Sequence, residues 1–438
     1  MTQNNAFLIL KLGYSVYLTG EAGSGKTYLL NKFIAFLQKK KAEVGITAST
    51  GIAATHLGGR TIDSWSGLGI RDEITPLEIK QLMLKPALRR RISSAKVLII
   101  DEVSMLHGKR LDSIDAICRA VRENDNPFGG MQVVLTGDFF QLPPVSKERR
   151  NFDYVYKSQV WQAIKPHILY LESQYRQTDP QFNEVLWAIR NNKVNDQTIA
   201  LLSTTIGQEV ESNITPTKLY THNIDVDAIN SYELNKIDKE EHVYEMVTLG
   251  SEELVESLKK GCLAPQHLVL KKGALVMFVK NNFDVGYSNG TVGKIVGFDR
   301  NDSPIVETFD KKKIHVTKTQ WTIDEGNKLL AQLIQLPLRL AWAITIHKSQ
   351  GMTLSCAEID LSKSFVHGMG YVALSRVRSL RGIKLLGFND LALKVNPEIT
   401  EFDKYLKDLS AKEATNLKKM GWFKRFFAQR KYVYYLTS

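Results

Sequence analysis

Short apolar runs alternate with helical patterns along the first part of the chain. The runs are SVYLTG at 15, VGITAST at 44, KVLIID at 96 and MQVVLTGD at 131. They are continuous rather than alternating and rich in β-branched residues, as in parallel strands that are covered on both faces. After the first run, Leu30, Phe33, Ile34 and Leu37 have the spacing of one helix face. The pattern predicts an α/β domain built on a parallel sheet.

A second series of apolar runs predicts a second α/β domain. It starts with ILYLESQYR at 168 and continues with KLYTHN at 218, LRLAWAITIHKSQG at 338, CAEIDL at 356 and GIKLLGF at 382. Within it, the shorter runs ALVMFVKN, TVGKIVGF and KKIHVTKTQWTI are separated by turn signals such as Ser288-Asn289-Gly290. These predict a small β-barrel-like insert over residues 262–325.

Composition narrows the class of protein. A chain of 438 residues is long enough for at least two cores. Lys and Arg exceed Asp and Glu by 12, which favours a polyanionic partner. The three cysteines lack the spacing of a disulfide framework or zinc site. No run approaches the roughly 20 apolar residues that cross a bilayer, so we expect no membrane partner. We expect the protein to be located in a bacterial or viral-host cytoplasm.

The segment GEAGSGKTYLL, residues 20–30, has the spacing of a phosphate-binding loop between a strand and a helix. Gly20, Gly23 and Gly25 let backbone N–H groups point at phosphate oxygens, at the positive end of the helix. Lys26 is expected to reach the outer phosphates and Thr27 to bind magnesium. The alternative is a glycine turn before a surface helix.

Other polar residues are candidates for binding the metal and for catalysing hydrolysis of the nucleotide. In VLIIDEVSM, Asp101 is the candidate metal partner and Glu102 the group that polarises the attacking water, although such a pair can also cap a helix. Gln141 in LTGDFFQLPPV is placed to contact the γ-phosphate, unless it is a turn residue. Arg176 and Arg376 are candidates for stabilising transition-state charge across a cleft, although spacing alone does not select them.

Taken in order, the motifs resemble a known family. The blocks are GEAGSGKT, TASTGIAATHLGGRTIDSW, VLIIDEVSML, GGMQVVLTGDFFQLPPV, YRQ, LRLAWAITIHKSQGMTL and YVALSRVRS. They resemble the Pif-one helicases, a branch of superfamily 1B related to the RecD group. The resemblance covers about residues 3–390, and TGIAA, DFFQLPPV and the IHKSQG block are distinctive for this branch.

The resemblance implies an α/β fold with two RecA-like P-loop NTPase domains. The first would span 1–160, with a small pin-bearing insert at about 62–82. The second would span 161–261 and 326–405 and carry an SH3-like β insert at 262–325, followed by a basic aromatic extension at 406–438. In residues 410–438, seven Lys or Arg face one acid, Glu413, among seven aromatics. This extension either lengthens a DNA path or forms a packed helix with a solvated basic face.

The implied activity is that of an ATP- and Mg²⁺-dependent motor. It would move 5′-to-3′ on single-stranded DNA and open 5′-tailed duplexes, DNA–RNA hybrids and G-quadruplexes, as a monomer, in DNA repair, recombination and telomere maintenance. Three alternatives stay open: a RecD-type or conjugation-type helicase, a nucleotide switch that binds nucleic acid passively, and an RNA-dedicated motor.

The family's functional residues carry over by position. Lys26, Glu102, Gln141, Arg176 and Arg376 are the implied catalytic residues, and Thr27 and Asp101 hold the metal. The implied nucleotide-binding residues are Gln3, which would recognise adenine, and Gly20, Ala22, Gly23, Ser24, Gly25, Lys26, Thr27, Tyr28 and Asp101.

The implied DNA contacts come from both domains. They are Thr50, Gly51, Thr61, Ser64 and Trp65 in the first, and His347, Lys348, Ser349 and Gln350 in the second. Hydroxyls and amides hold phosphates without reading sequence, and an aromatic ring stacks on any base. His347 taken alone is more often a packed or capping histidine. Asp63 stands where the family usually has His, so we expect it to face away from DNA or to cap a helix.

Overall fold

A computed structural model describes most of the chain. The described residues are 1–144, 153–173, 177, 179–210, 216–220, 226–282, 284–308, 310–325, 328–346 and 348–437. Arg176 and His347, two of the residues predicted to be functional, lie outside them. In the described ranges, we find no helix with the length and apolar character needed to span a bilayer.

The first domain is a parallel sheet of six strands covered by helices on both faces. Its strands are β1 (Val16–Gly20), β2 (Val44–Ala48), β3 (Arg60–Thr61), β4 (Val97–Asp101), β5 (Gln132–Thr136) and β6 (His167–Leu171). Its helices are α1 (Gln3–Leu10), α2 (Lys26–Lys39), α3 (Gly51–His56), α4 (Ile62–Ser66), α5 (Pro76–Met83), α6 (Pro86–Ser94), α7 (Gly108–Arg122) and α8 (Gln159–Ile164).

The strand order β3-β2-β4-β5-β1-β6 brings the carboxyl ends of β1, β2, β4 and β5 to one edge of the sheet. Ligands of open parallel sheets bind at this edge. The apolar run at 168, which we expected to open the second domain, forms β6 and pairs with β1 in the first sheet. That expectation was wrong because a continuous apolar run shows that a strand is buried but not which neighbour it pairs with.

The rest of the chain contains a second parallel sheet and several antiparallel ones. Its strands are β7 (Thr217–Tyr220), β8 (His242–Glu245), β9 (Val247–Gly250), β10 (His267–Leu270), β11 (Leu275–Phe278), β12 (Val292–Phe298), β13 (Pro304–Thr308), β14 (Lys313–His315), β15 (Thr319–Glu325), β16 (Lys328–Gln335), β17 (Leu338–Leu340), β18 (Ala343–Thr345), β19 (Ala357–Leu361) and β20 (Ile383–Phe388). Its helices are α9 (Pro180–Arg190), α10 (Asp196–Ser203), α11 (Val226–Asn235), α12 (Glu252–Gly261), α13 (Met369–Leu374), α14 (Pro397–Lys419) and α15 (Trp422–Thr437).

The second parallel sheet has the order β18-β7-β19-β20. The antiparallel strands form a five-stranded sheet, β14-β13-β12-β11-β17, a three-stranded sheet, β15-β16-β9, and the pair β10-β8. These strands begin before residue 262 and continue after residue 325, so the limits of the insert and its SH3-like form stay predictions. The expected pin region contains α5, which begins with a capping box between Thr75 and Glu78.

The C-terminal extension is helical and packs on the first domain. The Ser410 hydroxyl of α14 accepts a hydrogen bond from the Tyr170 N–H of β6, and Tyr432 and Leu436 of α15 are buried in the core beside β1, β4 and β5. The extension is therefore a terminal helix that is attached to the first domain by one face and leaves its other face exposed.

Candidate nucleotide-binding and catalytic cleft

A cleft of about 740 Å³ separates the two domains and contains most of the predicted nucleotide residues. One wall is formed by segments that follow the strands of the first sheet. The other is formed by nine residues from the later part of the chain: Asn281, Ser288, Asn289, Lys348, Gln350, Gly351, Thr353, Arg376 and Arg378. We call this space the interdomain cleft.

The predicted phosphate loop connects β1 to α2 at the base of this cleft. Gly20, Gly23 and Gly25 have φ values of 144°, 89° and 85°, which side chains rarely tolerate. A Cβ at Gly20 would approach the Leu171 carbonyl oxygen to 2.6 Å. Gly25 caps α2 without a side chain, which leaves the first-turn N–H groups directed at the loop. The backbone is therefore shaped for an anion.

Polar groups around the loop fit a phosphate and a metal ion. Lys26 Nζ donates to the carbonyls of Gly20 and Glu21 at 2.8 and 3.0 Å, and Thr27 lines the cleft. The Ser24 hydroxyl is buried without a hydrogen-bond partner in the described part of the structure. A buried polar atom of this kind costs free energy unless a ligand or water pairs with it. Ala22 also lines the cleft, whereas Tyr28 points outward and is exposed.

Asp101 and Glu102 come together at the end of β4, as predicted. The Glu102 N–H donates to Asp101 Oδ1 at 2.9 Å. Glu102 has φ 53°, a left-handed backbone that is strained for this residue type, and the Ser49 hydroxyl holds its carbonyl at 2.7 Å. Burial raises the pKa of both carboxyls, and Lys26 opposes the shift. A divalent cation at Asp101 would compensate this buried negative charge.

The predicted sensor and one predicted arginine finger also line the cleft. Gln141 is buried, and its Oε1 has no hydrogen-bond partner among the described residues, so an amide acceptor is available there. Arg376 is buried beside Glu102, and its Nε and Nη2 bond to Val372 O at 2.9 Å and to Ser375 Oγ at 2.8 Å. The opposing wall thus brings a fixed positive charge to the carboxylate pair.

Two contacts across the cleft were not predicted from the sequence. Gln350 Nε2 donates to Glu102 Oε2 at 3.2 Å, and Tyr371 Oη accepts from the Ala22 N–H at 3.4 Å. The family resemblance implies a DNA contact for Gln350, but its amide reaches the candidate catalytic carboxylate of Glu102. Tyr371 lies five residues before Arg376 in the YVALSRVRS block. Its position in this block was the one sequence feature that could have indicated a role in the cleft.

A buried ion pair between Arg190 and Asp138 lies next to Tyr371. Arg190 Nη1 donates to both oxygens of Asp138 at 3.0 and 2.9 Å and to Tyr371 Oη at 3.0 Å. Both charged side chains are almost completely buried. Burial acts to raise the pKa of Asp138, but the charges of Arg190 and Lys26 lower it on balance. Asp138 lies three residues before Gln141, so Arg190 ties the sensor segment to the second wall.

His56 forms a further contact between the two walls. Its Nε2 lies 3.1 Å from Asn289 Nδ2. Burial, with a smaller effect of Lys280, lowers the pKa of His56 to about 4. Neutral imidazole accepts the amide hydrogen, so the contact requires the uncharged form. No motif in the sequence distinguishes this histidine.

The predicted DNA residues divide into two groups. Thr50 and Lys348 line the cleft, and Gly51 lies beside Gly261 at the first turn of α3. Thr61 and Ser64 form a helix cap outside the cleft lining.

Two of the DNA assignments need correction. Trp65 is only 3% exposed and packs against Gly45, so a role in stacking on a base is wrong for this structure. Ser349 is fully buried and donates to the Ile346 carbonyl at 2.8 Å, so its hydroxyl does not face a DNA backbone. Periodicity and motif position do not show which of these side chains a neighbouring element covers.

The structure also places Asp63 and Gln3. Asp63 forms a salt bridge with Arg110 at 2.6 Å, which neutralises the carboxylate, while Thr61 supplies the cap of α4. The expectation that Asp63 faces away from DNA is consistent with this pairing. Gln3 is the first residue of α1 and does not line the cleft, so its contact with adenine stays a prediction.

The fold and the cleft define a P-loop nucleotide-binding protein with two parallel α/β domains. The sequence profile of PIF1-like helicases matches residues 4–199, and that of the DNA helicase Pif1 2B domain matches residues 253–298. A Psychrobacter ATP-dependent DNA helicase Pif1 is 43% identical, over 94% of this chain and 71% of the relative. The human ATP-dependent DNA helicase PIF1 is 38% identical over 89% of this chain, which spans 61% of the human protein.

Solved structures agree with these matches. Bacteroides sp. Pif1 in complex with ADP-AlF4 is 33% identical, with a TM-score of 0.80, over 93% of this chain and 96% of that one. Candida albicans Pif1 is 35% identical, with a TM-score of 0.72, over 92% and 98%. The chain belongs to the Pif1-like helicase family, and the predicted two-domain RecA-like fold is confirmed.

Proposed function

We propose that this chain is an ATP-dependent DNA helicase that moves 5′-to-3′ along single-stranded DNA. The observation that carries the proposal is the composite cleft, in which Lys26, Asp101 and Glu102 of one domain face Arg376 and Gln350 of the other. Neither wall contains all of these groups, so turnover depends on how the domains meet.

The residues fit ATP and Mg²⁺. The glycine loop and the free hydroxyl of Ser24 suit the phosphates, and Thr27 and Asp101 are positioned for the metal, which when bound neutralises charge on the phosphate oxygens. Glu102 accepts a proton from, or orients, the attacking water. Arg376 stabilises the charge that develops as the terminal phosphate leaves. Gln141 lies in the same cleft, where its amide NH2 can donate to a phosphate oxygen and its unpaired Oε1 can accept from the attacking water.

The DNA site is supported by position and by relatives. Thr50 and Lys348 lie in the cleft on opposite walls, three residues or fewer from groups that contact Glu102. Solved structures of Bacteroides Pif1 include one bound to single-stranded DNA. Tracking on one strand, opening of 5′-tailed duplexes, hybrids and G-quadruplexes, and action as a monomer belong to this proposal. Arg176 and His347 remain proposed finger and DNA residues.

The test compares ATP turnover with and without single-stranded DNA, and then strand displacement on duplexes with a 5′ or a 3′ tail. We expect DNA to stimulate turnover and displacement to require ATP and the 5′ tail. Glu102→Gln serves as the control that retains nucleotide binding. A nucleotide switch would show no displacement with either tail, and displacement from the 3′ tail alone would contradict the proposed polarity.

A further inference from the structure

The C-terminal helix α15 has one packed face. Tyr432 and Leu436 are buried, and the Tyr432 hydroxyl bonds to the side chain of Gln132. The Tyr432 ring covers Gly13, where a Cβ would lie 2.6 Å from it. The Tyr435 hydroxyl donates to the Lys96 carbonyl at 3.3 Å. These contacts fix the orientation of the helix on the first domain.

This attachment places α15 away from the interdomain cleft. Gln132 is the first residue of β5, and Lys96 directly precedes β4. Both mark the amino ends of the strands, whereas the cleft lies at their carboxyl ends. Five residues of strand separate the two edges by roughly 16 Å. A ligand on α15 would therefore occupy a site separate from the cleft.

The opposite face of α15 is aromatic and exposed. Phe423, Phe427, Arg430 and Tyr434 follow each other at intervals of four, three and four residues, which places them on one helix face. The three aromatic side chains are 71%, 63% and 74% exposed. Beside them, Trp422 stacks on Phe426 with centroids 5.4 Å apart, and the Arg430 guanidinium lies 5.7 Å from the Phe426 ring. Large exposed rings that gather on one face indicate an interaction surface.

The charge of this segment has a single sign. After Glu413, the chain has six cations and no acidic residue. They are Lys418, Lys419, Lys424, Arg425, Arg430 and Lys431. None of them forms a salt bridge with another described residue. On α14, by contrast, Lys407 pairs with Asp403 at 2.8 Å. The α15 face is therefore complementary to a polyanion, whereas a second copy of this chain carries a net charge of +12.

We propose that the exposed face of α15 is a second binding site for single-stranded nucleic acid. Rings stack on bases of any sequence, while cations contact the phosphates, and this combination suits a single strand better than a duplex, whose bases are already stacked. The site goes beyond the proposed function because it requires neither nucleotide nor the cleft.

The test uses the full chain with p-benzoylphenylalanine in place of Phe427 and a labelled oligo-dT strand. We expect photocrosslinking at this position with and without nucleotide. The matched control carries the photocrosslinker in place of Tyr405, which is 57% exposed on α14 between the acids Glu401 and Asp408. Crosslinking at 405 as strong as at 427, or none at 427, would overturn the proposal.

A second measurement keeps this proposal distinct from the helicase proposal. The variant Phe423→Ala/Phe427→Ala should weaken oligo-dT binding roughly tenfold, within the range for lost stacking, yet keep DNA-stimulated turnover within about twofold because the sites are distant. Loss of turnover with unchanged oligo-dT binding would contradict the α15 site. Binding to phosphatidylserine vesicles that oligo-dT does not displace would assign the face to a membrane and also overturn it.

Discussion

The interdomain cleft and the outer face of α15 both concentrate positive charge, but they hold it in different ways. In the cleft, Arg376 and Lys26 are placed against Glu102 and Asp101, and burial makes every charge depend on its partner. On α15, Lys424, Arg430 and Lys431 are exposed and form no salt bridge within the described part of the chain. A buried charge is expensive to leave unpaired, whereas exposed charges are screened by salt and act nearly additively.

Single substitutions should therefore have different effects in the two regions. Removing one group from the cleft leaves another buried charge uncompensated and changes the chemistry of the site. Removing one ring or cation from α15 leaves the remaining face in place. The cleft should therefore respond strongly to one substitution, and α15 only to several.

The largest effect is expected for Arg376→Ala. Turnover should fall roughly a thousandfold, the low end for loss of an arginine finger, because the charge opposite Glu102 disappears. Nucleotide binding should persist, and the two are measured by steady-state ATP hydrolysis and by binding of a fluorescent ADP analogue. Arg381→Ala, an exposed arginine nearby, is the control. Normal turnover in Arg376→Ala would remove its assignment.

A smaller effect is expected for Gln350→Ala. A hydrogen bond to a charged group is worth about 1.5–3 kcal/mol, so kcat should fall roughly 10- to 100-fold while KM for ATP stays similar. Gln350→Glu should be worse, since it places a carboxylate against Glu102. If both variants change only the affinity for DNA, Gln350 is a DNA residue, as the family resemblance implied.

The contact of His56 predicts a dependence of stability on pH. The pKa of His56 is lowered to about 4 in the folded state, so the unfolded chain takes up the proton first as the pH falls below about 6.5. The stability contributed by the neutral form is therefore lost between about pH 6.5 and 4. Thermal unfolding at pH 7.5 and 5 should show a smaller decline for His56→Gln than for the parent, and parallel declines would contradict the assignment.

The smallest effect on stability is expected on the outer face of α15. Phe423→Ala should change the free energy of unfolding by less than about 0.5 kcal/mol, because the ring is exposed. Tyr432→Ala on the packed face of the same helix should cost on the order of 3 kcal/mol. Chemical denaturation measures both. Equal losses would mean that the outer face is packed in solution.

Most of the nucleotide-binding residues on the first-domain wall of the interdomain cleft were predictable from the sequence. The phosphate loop has a fixed spacing between a strand and a helix, and the acidic pair follows an apolar run, so both depend on local backbone. The DNA residues were less predictable. Trp65 and Ser349 belong to family blocks, but their burial depends on elements distant in sequence.

The two α/β domains, the phosphate loop and the acidic pair at the end of β4 could be predicted from the amino-acid sequence alone. These features depend on local spacing and hydrophobic pattern, which a single sequence records. Three features are visible only in the folded chain: β6 joins the first sheet, Gln350 reaches Glu102 across 248 residues of chain, and one particular face of α15 is exposed. These depend on which surfaces meet, and burial is a property of both partners.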